Sequence, residues 1–506
     1  MAYEPLYDKL TSDYKKSLTS GQVIVNSSLN ALEGTSISKI LAVQADVNIT
    51  GSEALAKELK YAGRINFKVM YLCEENHVHG IDANVDFSDR LQEGQIVPGN
   101  RYVVTASILD IDTTNVSKSS VEFAAVTDVR VSAIVSQKVN FLKDGSGQLF
   151  TNKETISHKT LDAFHNTSLM ITDEFSIDEG KKILSCDTQI ILRRAVSGSD
   201  FVILEGEVAT NICYTNGEDE LFHVNHLTTF KEEVETNRVH IGSLVDATLS
   251  IKNTRCIVNH LDERNTLIRL EIGVDALIKS WSAHQLEVVA DAFSPTNETT
   301  LVMEDFISHS HIASEFFEER IDSTATLDET AVRVDKIVAV AKNRLTIANI
   351  LPLEDSVTIE GIVACNVVYL SVENEHLNSV LVDLPFSVNL TLEGVLDVSQ
   401  VFADAIVASV SARARRGRDI QLTADIKLKV NAYKPTINFV IGEVQVGDAV
   451  EMSDSALSIY IVRAQQTLWE VVKELRTTPE TVMAQNPTLT LPLAGGERIM
   501  FYRQLG

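Results

Sequence analysis

The sequence predicts a mostly β protein: three repeated antiparallel β domains, each a sandwich or an open barrel, followed by a small α+β module at the C-terminus. Three observations predict it. A set of anchor residues recurs three times at near-constant spacing, apolar and polar residues alternate with period two inside each copy, and helical spacing appears only after residue 457. With 506 residues, 44% of them hydrophobic and 23% charged, the chain is too long for one core and suits three or four globular domains.

The anchors begin with a Lys-Ile pair at Lys39-Ile40, Lys182-Ile183 and Lys336-Ile337. Gly63, Gly206 and Gly361 follow the isoleucine by 23, 23 and 24 residues, and Tyr71, Tyr214 and Tyr369 stand eight residues further on. Phe87, Phe230 and Phe386 come 16, 16 and 17 residues after the tyrosines. The glycine reads as a strand start or bulge and the two aromatics as core residues.

Between glycine and tyrosine, Ile65, Phe67, Val69 and Tyr71 alternate with Arg64, Asn66 and Lys68, the pattern of a half-buried strand. The closing strand of the third copy alternates Ile420, Leu422, Ala424, Ile426, Leu428 and Val430 with polar residues; Leu270 to Ala276 and Phe123 to Val131 repeat it. Each sheet is therefore expected to keep one face wet. Turn-forming runs at 143–147 and 294–298 punctuate the copies. The expected organisation is an N-terminal segment 1–36, repeats at 37–142, 156–311 and 312–435, a linker 436–456 and a module at 457–506. The N-terminal segment reads equally as a helix, as an added strand of the first copy or as mobile chain.

The module opens with a short strand at Ile459–Val462, then places Leu468, Trp469, Val471, Val472 and Leu475 at helical spacing. Thr478-Pro479-Glu480 supplies the N-cap and first turn of a second helix, and Leu493, Gly496, Ile499 and Phe501 form a closing strand. Trp469 fits either the module's core or the edge of its groove.

The net charge of −26 opposes a phosphate backbone, which excludes nucleic acid as the main partner and disfavours an anionic membrane. No apolar run is long enough to span a bilayer, and the N-terminus lacks the basic and apolar regions of a secretory signal. Five widely spaced cysteines (Cys73, Cys186, Cys213, Cys256 and Cys365) read as reduced core thiols of a cytoplasmic protein. Phosphate-loop, nucleophile-elbow, Cys-x-x-Cys and His-Glu-x-x-His motifs are missing, so no enzyme and no cofactor is expected. His77 with His79, His223 with His226, and His309 with His311 lack a third ligand and read as surface histidines rather than a metal site. Arg413, Arg415, Arg416 and Arg418 stand around Gly417 at a hairpin tip, either solvated or a second patch for an acidic protein.

The repeated anchors resemble the SPOCS domain of bacterial spore-coat proteins over roughly residues 37 to 435. The module resembles LysM, with Tyr460, Val462, Thr467, Leu468, Trp469, Asn486, Leu493, Gly496 and Ile499 on the family's pattern. It departs from that pattern where Gln465-Gln466 replaces a Gly-Asp turn, and its second loop, residues 488–492, is unusually apolar. SPOCS repeats before one terminal LysM imply a spore-coat morphogenetic adaptor, located in the mother-cell cytoplasm at the forespore surface and in the coat. The resemblance further implies that its LysM module binds the coat-basement ATPase (SpoIVA-like), with other coat proteins as further partners. The partner-binding residues expected on this reading are Gln465, Gln466, Trp469, Asn486, Leu489 and Leu491. The alternative is a cell-wall protein that binds peptidoglycan or N-acetylglucosamine glycan.

Overall fold

Strand-forming alternation runs through nearly the whole chain, and the computed structural model, described for residues 4–260, 265–373, 376–451 and 457–502, closes it into three six-stranded units and a C-terminal βααβ unit. The first unit contains β1 (Glu4–Asn30), β2 (Ile37–Leu55), β3 (Glu58–Cys73), β4 (Val78–Gln92), β5 (Arg101–Val116) and β6 (Ser120–Ser146). The second contains β7 (Phe150–Asp178), β8 (Lys182–Ser197), β9 (Phe201–Thr215), β10 (Leu221–Glu235), β11 (Leu244–His260) and β12 (Asn265–Phe293). The third contains β13 (Asn297–Thr326), β14 (Val334–Leu353), β15 (Ser356–Ser371), β16 (Leu377–Thr391), β17 (Gln400–Ala414) and β18 (Asp419–Ala449).

Every unit is the same pair of antiparallel sheets. In the first unit the orders are β2-β3-β4 and β1-β6-β5, and the other two units repeat both orders. The sheets face each other as a sandwich, with Ile65, Phe67, Val69 and Tyr71 packed against Val121, Phe123 and Ala125, and with the Phe67 and Phe123 rings stacked 5.7 Å apart.

The anchors have one physical explanation in all three units. Gly63, Gly206 and Gly361 pair across the strands with Phe87, Phe230 and Phe386. A Cβ added to these glycines would lie 2.5, 2.4 and 2.5 Å from the phenylalanine Cζ, so the ring occupies the space that a side chain would fill. Each glycine also sits beside a bulge in the neighbouring strand. Tyr71, Tyr214 and Tyr369 pair with the anchor isoleucines Ile40, Ile183 and Ile337, and all three tyrosines are buried.

The units share cores as well as shapes. One cluster joins Leu41, Met70 and Leu72 of the first unit to Leu184 and Cys213 of the second and Ala339 and Val368 of the third. Met70, Cys213 and Val368 each directly precede an anchor tyrosine, so equivalent positions converge and the units surround a pseudo-threefold axis. The long strands continue beyond the sandwiches as three two-stranded ribbons, β1 with β6, β7 with β12 and β13 with β18. These ribbons pack together through Leu10, Val139 and Phe141, Val288, and Phe306 and Val440.

Several expectations change here. Of the three readings of the N-terminal segment the added strand holds, since residues 4–30 form β1 of the first unit rather than a segment outside it. The expected boundary between 311 and 312 falls inside β13, which pairs with β18, and most of the expected linker 436–456 is the far half of β18. Residues 452–456 of that linker lie outside the described residues. The supposedly wet faces are also partly interface: Lys68, Lys427 and Lys429 turn inward between units, where carboxylates or carbonyls receive them. Among the described residues no helix is long and apolar enough to cross a membrane.

Candidate partner-docking site

The C-terminal unit consists of β19 (Leu457–Ile461), α1 (Leu468–Leu475), α2 (Pro479–Gln485) and β20 (Arg498–Tyr502). Its helices are short and depend on their caps. Thr467 and Glu470 form a reciprocal capping box at the start of α1, Arg476 ends it in the left-handed conformation, and Thr478 caps α2 ahead of Pro479. Val462, Val471, Val472, Val482, Leu493, Ile499 and Phe501 fill the core.

The unit is fastened to the end of the second ribbon. Trp469 Nε1 donates to Asp291 Oδ2 at 2.8 Å, Lys473 Nζ reaches the same carboxylate at 2.7 and 2.8 Å, and the indole meets the Phe293 ring edge-on at 5.3 Å. Arg476 donates to the carbonyls of Ser294 and Asn297 at 3.2 Å each and pairs with Glu298 at 2.7 Å. Phe293 and Phe150 thereby join the C-terminal core. The sequence reading missed Asp291, Phe293 and Glu298, because a carboxylate or ring at a strand end carries no local pattern that names its partner.

Of the six expected binding residues, most are already engaged. Gln466 is buried, donates to Tyr460 Oη at 2.6 Å and accepts from Arg463 N at 3.0 Å. Asn486 is buried and ties α2 to β20, donating to Val482 O at 2.9 Å and Met500 O at 2.8 Å and accepting from Met500 N at 2.8 Å. Trp469 is committed to the second ribbon, and Leu489 leans into the core. Gln465 (φ 64°) and Leu491 remain at the surface of their loops. The six therefore do not form one open groove.

A different surface is exposed. The sheet packs its helices on one face, and on the other Leu457, Ile459 and Ile461 of β19 lie beside Met500 and Tyr502 of β20. Exposures of 49, 62 and 63% on β19 and of 44 and 50% on β20 leave this apolar face bare. Period-two spacing is visible in the sequence at 457, 459 and 461, but which face the helices cover was not.

The other sequence candidates separate by environment. Arg413, Arg415, Arg416 and Arg418 crown the β17–β18 hairpin, where Arg415 N donates to Asp419 O at 2.7 Å and Gly417 O accepts from Val334 N at 2.6 Å. The histidine pairs are not uniformly at the surface. His77 pairs with Asp219 at 3.0 Å and His226 with Asp173 at 2.8 Å, whereas His309 is buried against the Tyr14 ring at 5.1 Å. Among the described residues no group of three metal-ligating side chains occurs.

A half-open cavity of about 1110 Å³ lies among β2, β5, β8, β11, β14 and β17. At its wall Lys342 of the third unit pairs with Asp187 of the second at 2.5 Å, and Lys68 of the first bridges Asp46 at 3.0 Å and Asp187 at 3.6 Å. Burial alone would raise the Asp187 carboxyl, but Lys342 and Lys68 outweigh it and hold the group well below the usual range. Burial and the neighbouring Asp187 push Asp46 upward. The arrangement neutralises its own charges and joins three units.

Compared with known families, the SPOCS domain of the SipL family matches residues 36–116 and 333–415. These stretches correspond to β2–β5 and β14–β17, and β8–β11 repeat their pairing in the second unit. No curated protein and no solved structure matches the chain.

Proposed function

Starting from a chain that carries the SPOCS domain of the SipL family in its first and third units, we propose that this protein is a non-enzymatic spore-coat morphogenetic adaptor. Its C-terminal βααβ unit is a LysM-type module that binds the coat-basement ATPase and so helps tether the coat to the forespore from the mother-cell cytoplasm. The SPOCS match in two separate units is the observation that carries this reading.

The exposed sheet face of the module is the surface offered to the ATPase: Leu457, Ile459 and Ile461 with Met500 and Tyr502. Residues 457–506 hold five basic and four acidic side chains, while the whole chain carries −26, so the three units repel a second copy and favour a different partner. Arg503, one of the five, lies outside the described residues. Loop residues Gln465 and Leu491 border the module as secondary contacts.

The test compares the full-length protein with its Ile459→Asp/Met500→Asp variant for binding to the purified ATPase, alongside sedimentation with insoluble peptidoglycan. Both side chains face solvent, so circular dichroism should be unchanged while ATPase affinity falls roughly thirtyfold, about 2 kcal/mol for losing apolar anchors. Unchanged ATPase binding by the variant removes this face from the reading. Micromolar binding of N-acetylglucosamine oligomers by the parent, with no ATPase binding, replaces the adaptor by the cell-wall alternative.

A further inference from the structure

Two of the five cysteines stand on facing strands of the second unit, β8 and β11, partly buried against its core. Cys186 follows the β8 bulge as Val43 follows that of β2 and Val340 that of β14. Cys256 pairs with Leu270, where Ile111 pairs with Ala125 and Val410 with Ala424. The first and third units thus place aliphatic side chains where the second places two thiols.

Geometry brings those thiols together. Two residues along each strand, Thr188 Oγ1 and Thr254 Oγ1 are 2.7 Å apart, which fixes β8 and β11 at side-chain contact distance across the sandwich. The period-two repeat carries the next facing pair, Cys186 and Cys256, to the same side of the sandwich, where both pack against the core of the second unit. Cys186, Thr188 and Thr254 also line the central cavity, which gives a small polar oxidant a route to the pair.

We propose that Cys186 and Cys256 form a peroxide-sensitive dithiol, closing to a disulfide that clasps the two sheets of the second unit. One thiol of the pair gives up its proton and attacks one oxygen of hydrogen peroxide, the O–O bond breaks, and the departing hydroxide takes that proton to leave as water. The other sulfur then displaces the hydroxyl of the resulting sulfenic acid, its own proton leaving with that hydroxyl as a second water. Two thiols are oxidised by two electrons and one peroxide is reduced to two waters. The facing Cys256 thiol and burial raise Cys186, while Cys186 lowers Cys256, so the two thiols titrate as a pair. Burial pushes Cys213 and Cys365 up to about 12, so these thiols stay inert.

The clasp joins the sheets of the unit to which the C-terminal module is fastened. The full-length protein is treated with hydrogen peroxide, alkylated and digested without reductant for mass spectrometry. We expect a peptide linked through Cys186 and Cys256, reversed by dithiothreitol, and an unfolding midpoint raised on the order of 5–10 °C. In Cys186→Val or in Cys256→Ile, the remaining thiol of the pair should instead be trapped as a sulfenic acid by dimedone. Cys186→Val/Cys256→Ile carries the residue types of the other units and should fold yet show no oxidation-dependent shift. Recovery of Cys186 and Cys256 on separate peptides after oxidation, or an equal shift in the double variant, overturns the proposal.

Discussion

Asp291 shows how much a single residue decides. It receives both the Trp469 indole and the Lys473 ammonium, so Asp291→Ala leaves an indole N–H unpaired at the junction and removes the ion pair. We expect a loss of about 1–3 kcal/mol in docking of the C-terminal unit, seen as a red-shifted Trp469 emission and faster proteolysis near residue 451, with the three sandwiches still folded. The anchor glycines give a second residue-level outcome. Gly206→Ala places a methyl 2.4 Å from both Phe230 Cζ and the Ile191 carbonyl oxygen, and the overpacking should cost about 1–3 kcal/mol by denaturant unfolding. Glycine, tyrosine and phenylalanine were legible because three copies repeat them. Trp469 was legible only as core or edge, since its partner lies far away in sequence and apolar spacing within α1 does not reveal what lies outside the module.

At the scale of elements, the strands with clean alternation were readable, and those whose polar side chains are buried by other units were not. β1 is the example: Ser12 and Asp13 are buried because Ser12 Oγ donates to Ile307 O at 2.8 Å and Asp13 Oδ2 accepts from Leu161 N at 2.6 Å, so its sequence does not separate an added strand from a helix or mobile chain. The same junction holds His309 of β13 against Tyr14 of β1. Burial, with Lys159 nearby, lowers His309 from 6.5 to about 4. An unfolded chain therefore binds a proton there between those values and the native chain does not. This stability contribution is full above pH 6.5 and is lost as pH falls toward 4. Unfolding midpoints measured from pH 7.5 to 4.5 should drop, and His309→Gln should flatten part of that slope. The exposed face of β19 and β20 belongs to the same lesson, because alternation at 457, 459 and 461 says that one side is apolar but not that it stays uncovered.

The whole molecule was the least legible scale, because an interface between repeats uses the same polar residues as a solvated surface. Lys68, Asp187 and Lys342 each stand on a strand face that alternation assigns to water, yet they meet one another from three units. Conversely, the SPOCS match in residues 36–116 and 333–415 covers four strands of a unit and omits the long strands that build the ribbons. The adaptor reading relies on these parts acting as one body that presents the C-terminal module. Asp187→Ala tests this most directly, since it strands the buried Lys342 and leaves Lys68 with Asp46 alone between the units, and it should cost about 3–5 kcal/mol. The measurement is native-state hydrogen exchange of the full chain with and without that substitution. Joined units predict faster exchange in β2 and β3 and in β14 and β15 as well as in β8 and β9, whereas a change confined to residues 150–293 would contradict the account and make the units independent beads.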